Sequence, residues 1–114
     1  MKHDERVYLQ HILDAIARID EYLTGIDEER FHQIHLVQDG VIRQLEIIGE
    51  ATKQVSPQTR SQYPQIPWQD VAGMRDKLIH HYFGVDLNVV WLTVKEDLPS
   101  LEETVSQILA KSSH

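Results

Sequence analysis

The feature that most constrains this 114-residue chain is a set of apolar stripes with helical spacing. Apolar residues recur at alternating steps of four and three, which places each set on one face of an α-helix. No segment shows the strict apolar and polar alternation of a half-buried strand. We therefore predict an all-α fold class, an antiparallel bundle of four to five helices. The stripes are Tyr8, Ile12, Ala15, Ile19 and Tyr22, then Val41, Leu45, Ile48, Thr52 and Val55, then Leu87, Trp91, Val94, Leu98, Leu101, Val105 and Ile108.

Short polar residues and glycines mark the predicted ends of the first two helical regions. Asp4 is a candidate N-cap for the first helix, which Thr24-Gly25 ends. The second region is predicted over residues 27–55. Within it, Gly40 either bends the helix or divides it in two, and Gly49 is suited to a close approach by a neighbouring helix.

The second half of the chain is punctuated by proline. Residues 56–66 are polar and proline-rich, which predicts a loop with one short helical turn. Asp86 is the expected N-cap of the last helical stretch. Pro99 lies inside that stretch without shifting its stripe, so we expect a kink or a fresh helix start near Asp97.

Composition limits the class of protein. The length fits one domain, residues 1–114, with one core. With no cysteine there are no disulfides and no thiolate metal sites. No apolar run approaches the roughly 18 residues of a membrane span and no signal-peptide core precedes the first stripe, so we expect a cytoplasmic protein with no membrane partner.

The net charge of −7 argues against a protein that coats nucleic acid generally, because such proteins carry excess Lys and Arg. The charge is uneven, however. Residues 1–30 hold eight acids against four bases, whereas residues 31–83 hold five of each and four of the seven histidines. Any site for a polyanion is therefore expected as a local patch in that middle segment.

Two histidines of the second region are spaced three apart. His32 and His35 would share one helix face, a spacing that suits a metal. A third ligand with matching spacing is missing from the sequence around them, so a solvated or partner-facing histidine pair is the better interpretation. We assign no metal and no cofactor.

The densest chemistry of the chain lies in one predicted helix that begins at Pro67 and stops at Gly84. At about 100° per residue, Arg75 and Tyr82 lie within roughly 20° of each other on that helix, whereas His80 lies about 140° from Arg75. A straight helix cannot point all three at one spot. Convergence needs a frayed last turn or a second copy of the chain.

We therefore expect a homodimer with two motif helices facing each other across a two-fold axis. A second argument for the dimer is that the apolar stripes look too numerous for one small bundle to bury.

Structural interpretations of the same residues stay open. Arg75 would serve as an ordinary helix arginine paired with Glu46 or Glu50. Tyr82 would be a core residue with its hydroxyl satisfied. His81 is better explained as a solvent or RNA-backbone contact than as a catalyst.

The R-x4-H-x-Y spacing of Arg75, His80 and Tyr82, with its flanks, resembles the HepT-like proteins of the HEPN superfamily, small all-helical toxins of prokaryotic toxin–antitoxin pairs. The resemblance covers most of the chain. One departure is Asp76, where family members often carry Asn. The flanks that carry the resemblance are Arg43-Gln-Leu-Glu-Ile-Ile-Gly-Glu-Ala51, Pro67-Trp68, Gly73-Met-Arg-Asp-Lys-Leu-Ile-His80, Asp86, Val90-Trp91 and Asp97-Leu-Pro99.

The resemblance implies a metal-independent endoribonuclease whose paired motifs line a cleft between two protomers. Arg75, His80 and Tyr82 would be the catalytic residues. From the residues themselves, Asp76, one turn before His80 in the predicted helix, would hold its imidazole, and His81 would also be in support. It also implies a partner, a minimal nucleotidyltransferase antitoxin that silences the toxin by attaching AMP to Tyr82, in a type II/VII-like pair. The alternative is a non-catalytic helical module that pairs with a nucleotidyltransferase or binds nucleotide or phosphate.

Overall fold

The computed structural model of the chain describes residues 4–74, 78–80 and 84–112, with backbone alone for Ile79, His80 and Ser112. Helices account for almost all of its regular structure. They are α1 (Glu5–Tyr22), α2 (Glu28–Phe31), α3 (His35–Thr52), α4 (Pro57–Gln62), α5 (Trp68–Ala72), α6 (Leu87–Leu92), a π-helical segment (Thr93–Asp97) and α7 (Leu98–Ser112). Two short strands, β1 (Ile79–His80) and β2 (Gly84–Val85), lie between α5 and α6.

The long helices α1 and α3 pair along their lengths and form the centre of the core. They are antiparallel, because Tyr22 at the end of α1 reaches Gly40 early in α3, and Glu5 at the start of α1 reaches Ser56 beyond the end of α3. Helix α7 packs on α1 and completes the main layer. The prediction of an all-α fold is confirmed. Stripe residues with no exposed surface are Ile12, Ile19, Val41, Leu45, Ile48, Thr52 and Val105.

A single chain buries most of the three predicted stripes. Among the described residues, the large exposed hydrophobic side chains are Val7, Leu36 and Leu92, and none of them belongs to a stripe. The stripes therefore do not require a second copy for burial, and this argument for a dimer is not supported.

The predicted caps are confirmed. The Asp4 carboxylate accepts a hydrogen bond from the Arg6 backbone N–H at 3.1 Å, and Asp86 accepts from Asn88 and Val89 at 3.0 and 3.3 Å. Gly25, after α1, has φ +73°, a left-handed conformation that glycine adopts without steric cost.

The second helical region divides earlier than predicted. The break lies at residues 32–34, and α3 runs through Gly40 without interruption. Ile34 is extended at the start of α3, and the Gln38 side-chain amide donates to the Phe31 carbonyl at 2.9 Å. That bond satisfies a carbonyl that the end of α2 leaves open, and it is made across seven residues, beyond the reach of a local pattern.

The proline-rich stretch holds one short helix, α4, as expected. Ser56 caps it and Pro57 occupies its first turn. The Glu5 carboxylate of α1 accepts hydrogen bonds from the Ser56 N–H and the Thr59 hydroxyl, which fixes α4 against the start of α1.

The expected change of helix near Asp97 is confirmed, and its form is a π-helical segment. Thr93–Asp97 is π-helical, the Leu98 N–H bonds to the Thr93 carbonyl, and α7 begins at Leu98. The wider turn accommodates Pro99, whose ring would otherwise clash with the carbonyl four residues earlier.

The prediction of one helix from Pro67 to Phe83 is wrong. Helix α5 ends at Ala72, and His80 is extended and pairs with Gly84 in an antiparallel register. The helical angle of 140° between Arg75 and His80 therefore does not apply, and the dimer prediction loses its geometric argument.

Along the parts of the chain that the structure covers, every helix is too short or too polar to span a membrane.

We predict that Gly49→Val lowers the free energy of unfolding by about 1–3 kcal/mol, because a Cβ at Gly49 would lie 3.3 Å from the Val71 carbonyl oxygen. Ala17→Val, on an exposed position of α1, is the matched control and should cost less than about 1 kcal/mol. Urea unfolding followed by circular dichroism measures both. Equal losses in the two variants would contradict a special role for the close approach.

We predict that Gly84→Ala lowers the free energy of unfolding by about 1–2 kcal/mol. Gly84 has φ +82°, a conformation that is strained for a residue with a Cβ even where the Cβ meets no neighbour. Gly73→Ala is the matched control, since Gly73 has no positive φ and its added Cβ would make ordinary contact, 3.4 Å from the Gln69 carbonyl. Hydrogen exchange of the Asp86 amide, which bonds to the Leu78 carbonyl at 3.1 Å, should accelerate in Gly84→Ala alone. Equal protection in both variants would contradict the strain argument.

Candidate active site

The candidate site lies in the segment between α5 and α6, and its sequence is anchored at both ends. Met74 and Leu78 are buried, at 2% and 1% exposure. Arg75 and Asp76 stand between these two anchors in the sequence and lie outside the described residues. The chain is thus fixed to the core on both sides of the motif arginine.

The anchor before the motif rests on α3. A Cβ built at Gly49 would lie 3.3 Å from the Val71 carbonyl, 3.4 Å from the Ala72 carbonyl and 3.6 Å from the Met74 Cβ. The end of α5 therefore lies directly against the α3 backbone, as the sequence predicted for Gly49. A side chain at Gly49 would push away the residues that lead into Arg75.

The start of α5 is held by Trp68. Its ring is buried, its Nε1–H donates to the Tyr63 carbonyl at 2.9 Å, and its backbone N–H donates to Ile66 at 2.8 Å. Sequence reasoning noted Pro67-Trp68 as a flank of the motif and did not find this anchoring role. A buried indole whose N–H needs a partner was the available signal.

The anchor after the motif is the short strand pair. His80 pairs with Gly84 and Ile79 with Val85, and the Asp86 N–H bonds to the Leu78 carbonyl. Of the predicted site residues, His80 is placed by its backbone alone, and His81 and Tyr82 lie outside the described residues. The strand pair therefore sets the backbone direction at His80, and Asp86 links this pair to the first turn of α6.

Three carboxylates line a cavity beside the start of the anchored segment. A cavity of about 330 Å³ beside Met74 is also lined by Asp70, Glu96 and Asp97. On α3, Glu50 pairs with Lys53 at 3.0 Å, and Glu46 is half-buried. Glu50, one of the two expected structural partners of Arg75, thus forms a salt bridge with Lys53, the residue that follows α3. Carboxylates on the cavity lining oppose the approach of an anion, so cationic side chains of the motif would favour the binding of an anionic substrate here.

The predicted histidine pair does not share a helix face. His32 follows the last residue of α2 and His35 is the first residue of α3, with the break between them. The His32 Nε2 atom lies 4.0 Å from a Glu28 carboxylate oxygen. Within residues 4–74, 78–80 and 84–112, no group of three or more His, Cys, Asp or Glu side chains is placed to hold a metal ion.

Comparisons with known proteins identify relatives over nearly the whole chain. The family model described as "Ribonuclease HepT-like" matches residues 12–108, a span that includes Arg75, His80 and Tyr82. A Thermococcus cleftensis protein named "Probable ribonuclease HepT" is 50% identical over 102 residues, covering 90% of this chain and 93% of the relative. "Putative RNase TTE0752" of Caldanaerobacter subterraneus subsp. tengcongensis is 42% identical over 106 residues, covering 93% and 95%.

A larger relative contains a similar region. "Gamma-glutamylcyclotransferase and putative RNase MJ0434" of Methanocaldococcus jannaschii is 46% identical over 109 residues, 96% of this chain, and the chain spans about half of that protein, 49%. No solved structure matches the chain significantly. The extent of the family match and the identity to two relatives of similar length lead to one conclusion: the chain belongs to the ribonuclease HepT-like family.

Proposed function

We propose that the protein is a metal-independent endoribonuclease that uses Arg75, His80 and Tyr82. The observation that carries the proposal is the family match, which extends across all three residues. The anchoring of the segment by Met74, Leu78 and the strand pair supports it, because catalytic groups need a fixed frame.

RNA cleavage suits this set of residues, because RNA carries its own nucleophile, the 2′-hydroxyl. The protein then has to move protons and stabilise the charge that builds on the phosphate. An imidazole with an unperturbed pKa near 6.5 serves as acid or base around neutrality, the role proposed for His80. Arg75 donates a bidentate pair of hydrogen bonds to phosphate oxygens, which a lysine does less well.

The remaining motif residues take supporting roles. Asp76 orients the His80 imidazole by accepting a hydrogen bond, and Tyr82 binds the phosphate or orients the histidine. His81 contacts the RNA backbone. The role of Tyr82 follows the family resemblance. Those of Asp76 and His81 rest on side-chain chemistry, since Asp76 is where the chain departs from the family and His81 lies outside the R-x4-H-x-Y pattern.

We further propose that two protomers bring their motifs together in one cleft, which the family resemblance supports. A shared cleft doubles the local count of Arg75 and His80 in a chain with net charge −7. This would offset the carboxylates around the segment, including Asp70 and Glu96.

In the cell, the protein would act as the cytoplasmic toxin of a type II/VII-like toxin–antitoxin pair. Its partner would be a minimal nucleotidyltransferase that attaches AMP to Tyr82. The added phosphate would pair with Arg75 in place of substrate, and the purine would obstruct the cleft. Both effects oppose RNA entry.

We predict that Arg75→Ala and His80→Ala each abolish RNA cleavage. A lost contribution of roughly 3–5 kcal/mol corresponds to a rate loss on the order of 10²–10⁴. His35→Ala, an exposed histidine at the start of α3, is the matched control and should cut RNA like the wild type. A gel assay on a labelled RNA measures the rate, and circular dichroism and sedimentation velocity should show unchanged helicity and a dimer for all three.

Cleavage by the wild type should persist in EDTA. Loss of cleavage on chelation and its return with a divalent ion would overturn the mechanism. A monomer at micromolar concentration with full activity would remove the shared cleft and leave the chemistry of Arg75 and His80 to be tested alone.

We predict that incubation with the cognate nucleotidyltransferase, ATP and Mg²⁺ adds one or more AMP units and that Tyr82→Phe prevents the addition. Tyr22→Phe, in a half-buried tyrosine of α1, is the matched control and should be modified like the wild type. Intact mass spectrometry detects the adduct, and the modified protein should no longer cut RNA. Adducts on Tyr82→Phe equal to those on the wild type would place the control point elsewhere.

A further inference from the structure

An apolar groove lies between the end of α1 and the start of α3, on a part of the molecule that the proposed ribonuclease chemistry does not use. Its volume is about 520 Å³, and its walls are formed by Tyr22, Leu36, Val37, Asp39 and Gly40. Leu36 is 82% exposed, the largest value among the exposed large hydrophobic side chains of the described residues. Burying a leucine side chain is favourable, and Leu36 does not gain that free energy within this chain. The groove is therefore a candidate contact surface.

The floor of the groove is a specific packing arrangement. A Cβ at Gly40 would lie 3.1 Å from two atoms of the Tyr22 ring, so the ring packs directly against α3 at Gly40. Glycine in a helix interior costs about 1 kcal/mol relative to alanine. The α3 helix continues through Gly40 in spite of that cost, and the missing side chain leaves room for the Tyr22 ring, which lines the groove.

Asp39 is the charged residue of the groove lining, and the chain that forms this end of the bundle is acidic. Residues 20–39 carry six carboxylates and one arginine, with Arg18 and Arg43 one helical turn beyond Tyr22 and Gly40. One of these carboxylates, that of Glu28, lies 4.0 Å from the His32 Nε2 atom. The six, all exposed, are Asp20, Glu21, Asp27, Glu28, Glu29 and Asp39.

This charge selects among possible occupants of the groove. RNA is disfavoured because its phosphates would face carboxylates. A second copy of the chain docked groove to groove would bring Asp39 and its neighbours against their own counterparts, and like charges at an interface oppose association. A partner with apolar side chains flanked by Lys or Arg satisfies both the groove and its rim.

The groove is also separate from the candidate active site. Leu36 lies thirteen residues before Gly49 on the same helix, which is roughly 20 Å along the axis at 1.5 Å per residue. A protein bound over Leu36 would therefore leave the motif segment accessible.

We propose that the groove formed by Tyr22, Leu36, Val37, Asp39 and Gly40 docks an amphipathic helix of a partner protein, with apolar residues at helical spacing and Lys or Arg beside them. The apolar face of that helix would cover Leu36 and the Tyr22 ring, and its cations would meet the acidic rim. This interaction does not depend on the ribonuclease chemistry.

The test uses the full chain and two labelled helical peptides that share one leucine pattern, with lysines beside the leucines in the first and glutamates in the second. Fluorescence anisotropy should show binding of the lysine peptide, weakened by salt, and much weaker binding of the glutamate peptide. Leu36→Gln should raise the Kd on the order of tenfold, whereas Leu92→Gln, an exposed leucine outside the groove, should leave it unchanged.

Charge reversal separates the rim from general attraction to an acidic protein. Asp39→Lys should weaken binding of the lysine peptide and strengthen binding of the glutamate peptide, each by several-fold. Glu103→Lys, an exposed acid on α7 outside the groove, makes the same change in net charge and should have little effect on either. Circular dichroism checks the fold, and RNA cleavage by Leu36→Gln should match the wild type.

Three results would overturn the proposal. One is equal binding of both peptides, and another is a Kd that is the same for Leu36→Gln and the wild type. The third is self-association of the wild type that Leu36→Gln abolishes, which would make a second copy of the chain the occupant.

Discussion

The position of the candidate site depends on the contact between Gly49 of α3 and the backbone at the end of α5. The α1–α3 pair, with residues such as Ile12 and Leu45 fully buried, anchors α3 in the core, and the open face of Gly49 lets the Val71 and Ala72 carbonyls lie against it. Met74 then enters the core, and the next residue in the sequence is Arg75. One missing side chain on a buried helix thus fixes where the motif begins.

Helical periodicity and capping chemistry were sufficient to predict the bundle. The stripes built on Ile12, Ile48 and Val105 lie in the core, and Asp4 and Asp86 cap the helices assigned to them. These features are decided within a few residues along the chain, by helix geometry and by the open N–H groups of a first turn. A sequence displays such local causes directly.

The failures share a different cause, contacts over four to eight residues that helical periodicity and capping patterns do not encode. The break before α3 is stabilised by Gln38 reaching the Phe31 carbonyl, and the helix expected through His80 yields to strand pairing with Gly84 and a bond from the Asp86 amide to Leu78. In the site itself, the sequence supplied the identities of the motif residues through a family resemblance. It could not supply their geometry, because that depends on how the anchored segment packs.

The acidity of the chain and an RNA substrate are compatible once the distribution of charge is considered. The acidic residues 20–39 run from the end of α1 to the first turns of α3, and the last of them, Asp39, lies roughly 15 Å from Gly49 along the helix axis. At physiological salt the Debye length is about 8 Å, so exposed charges at that separation are largely screened from each other. The acids beside Met74, such as Asp70 and Glu96, would therefore affect RNA binding at the proposed site more than the net charge does. A small bundle of this length can therefore keep the acidic end that we propose as a docking surface apart from the segment that we propose binds RNA.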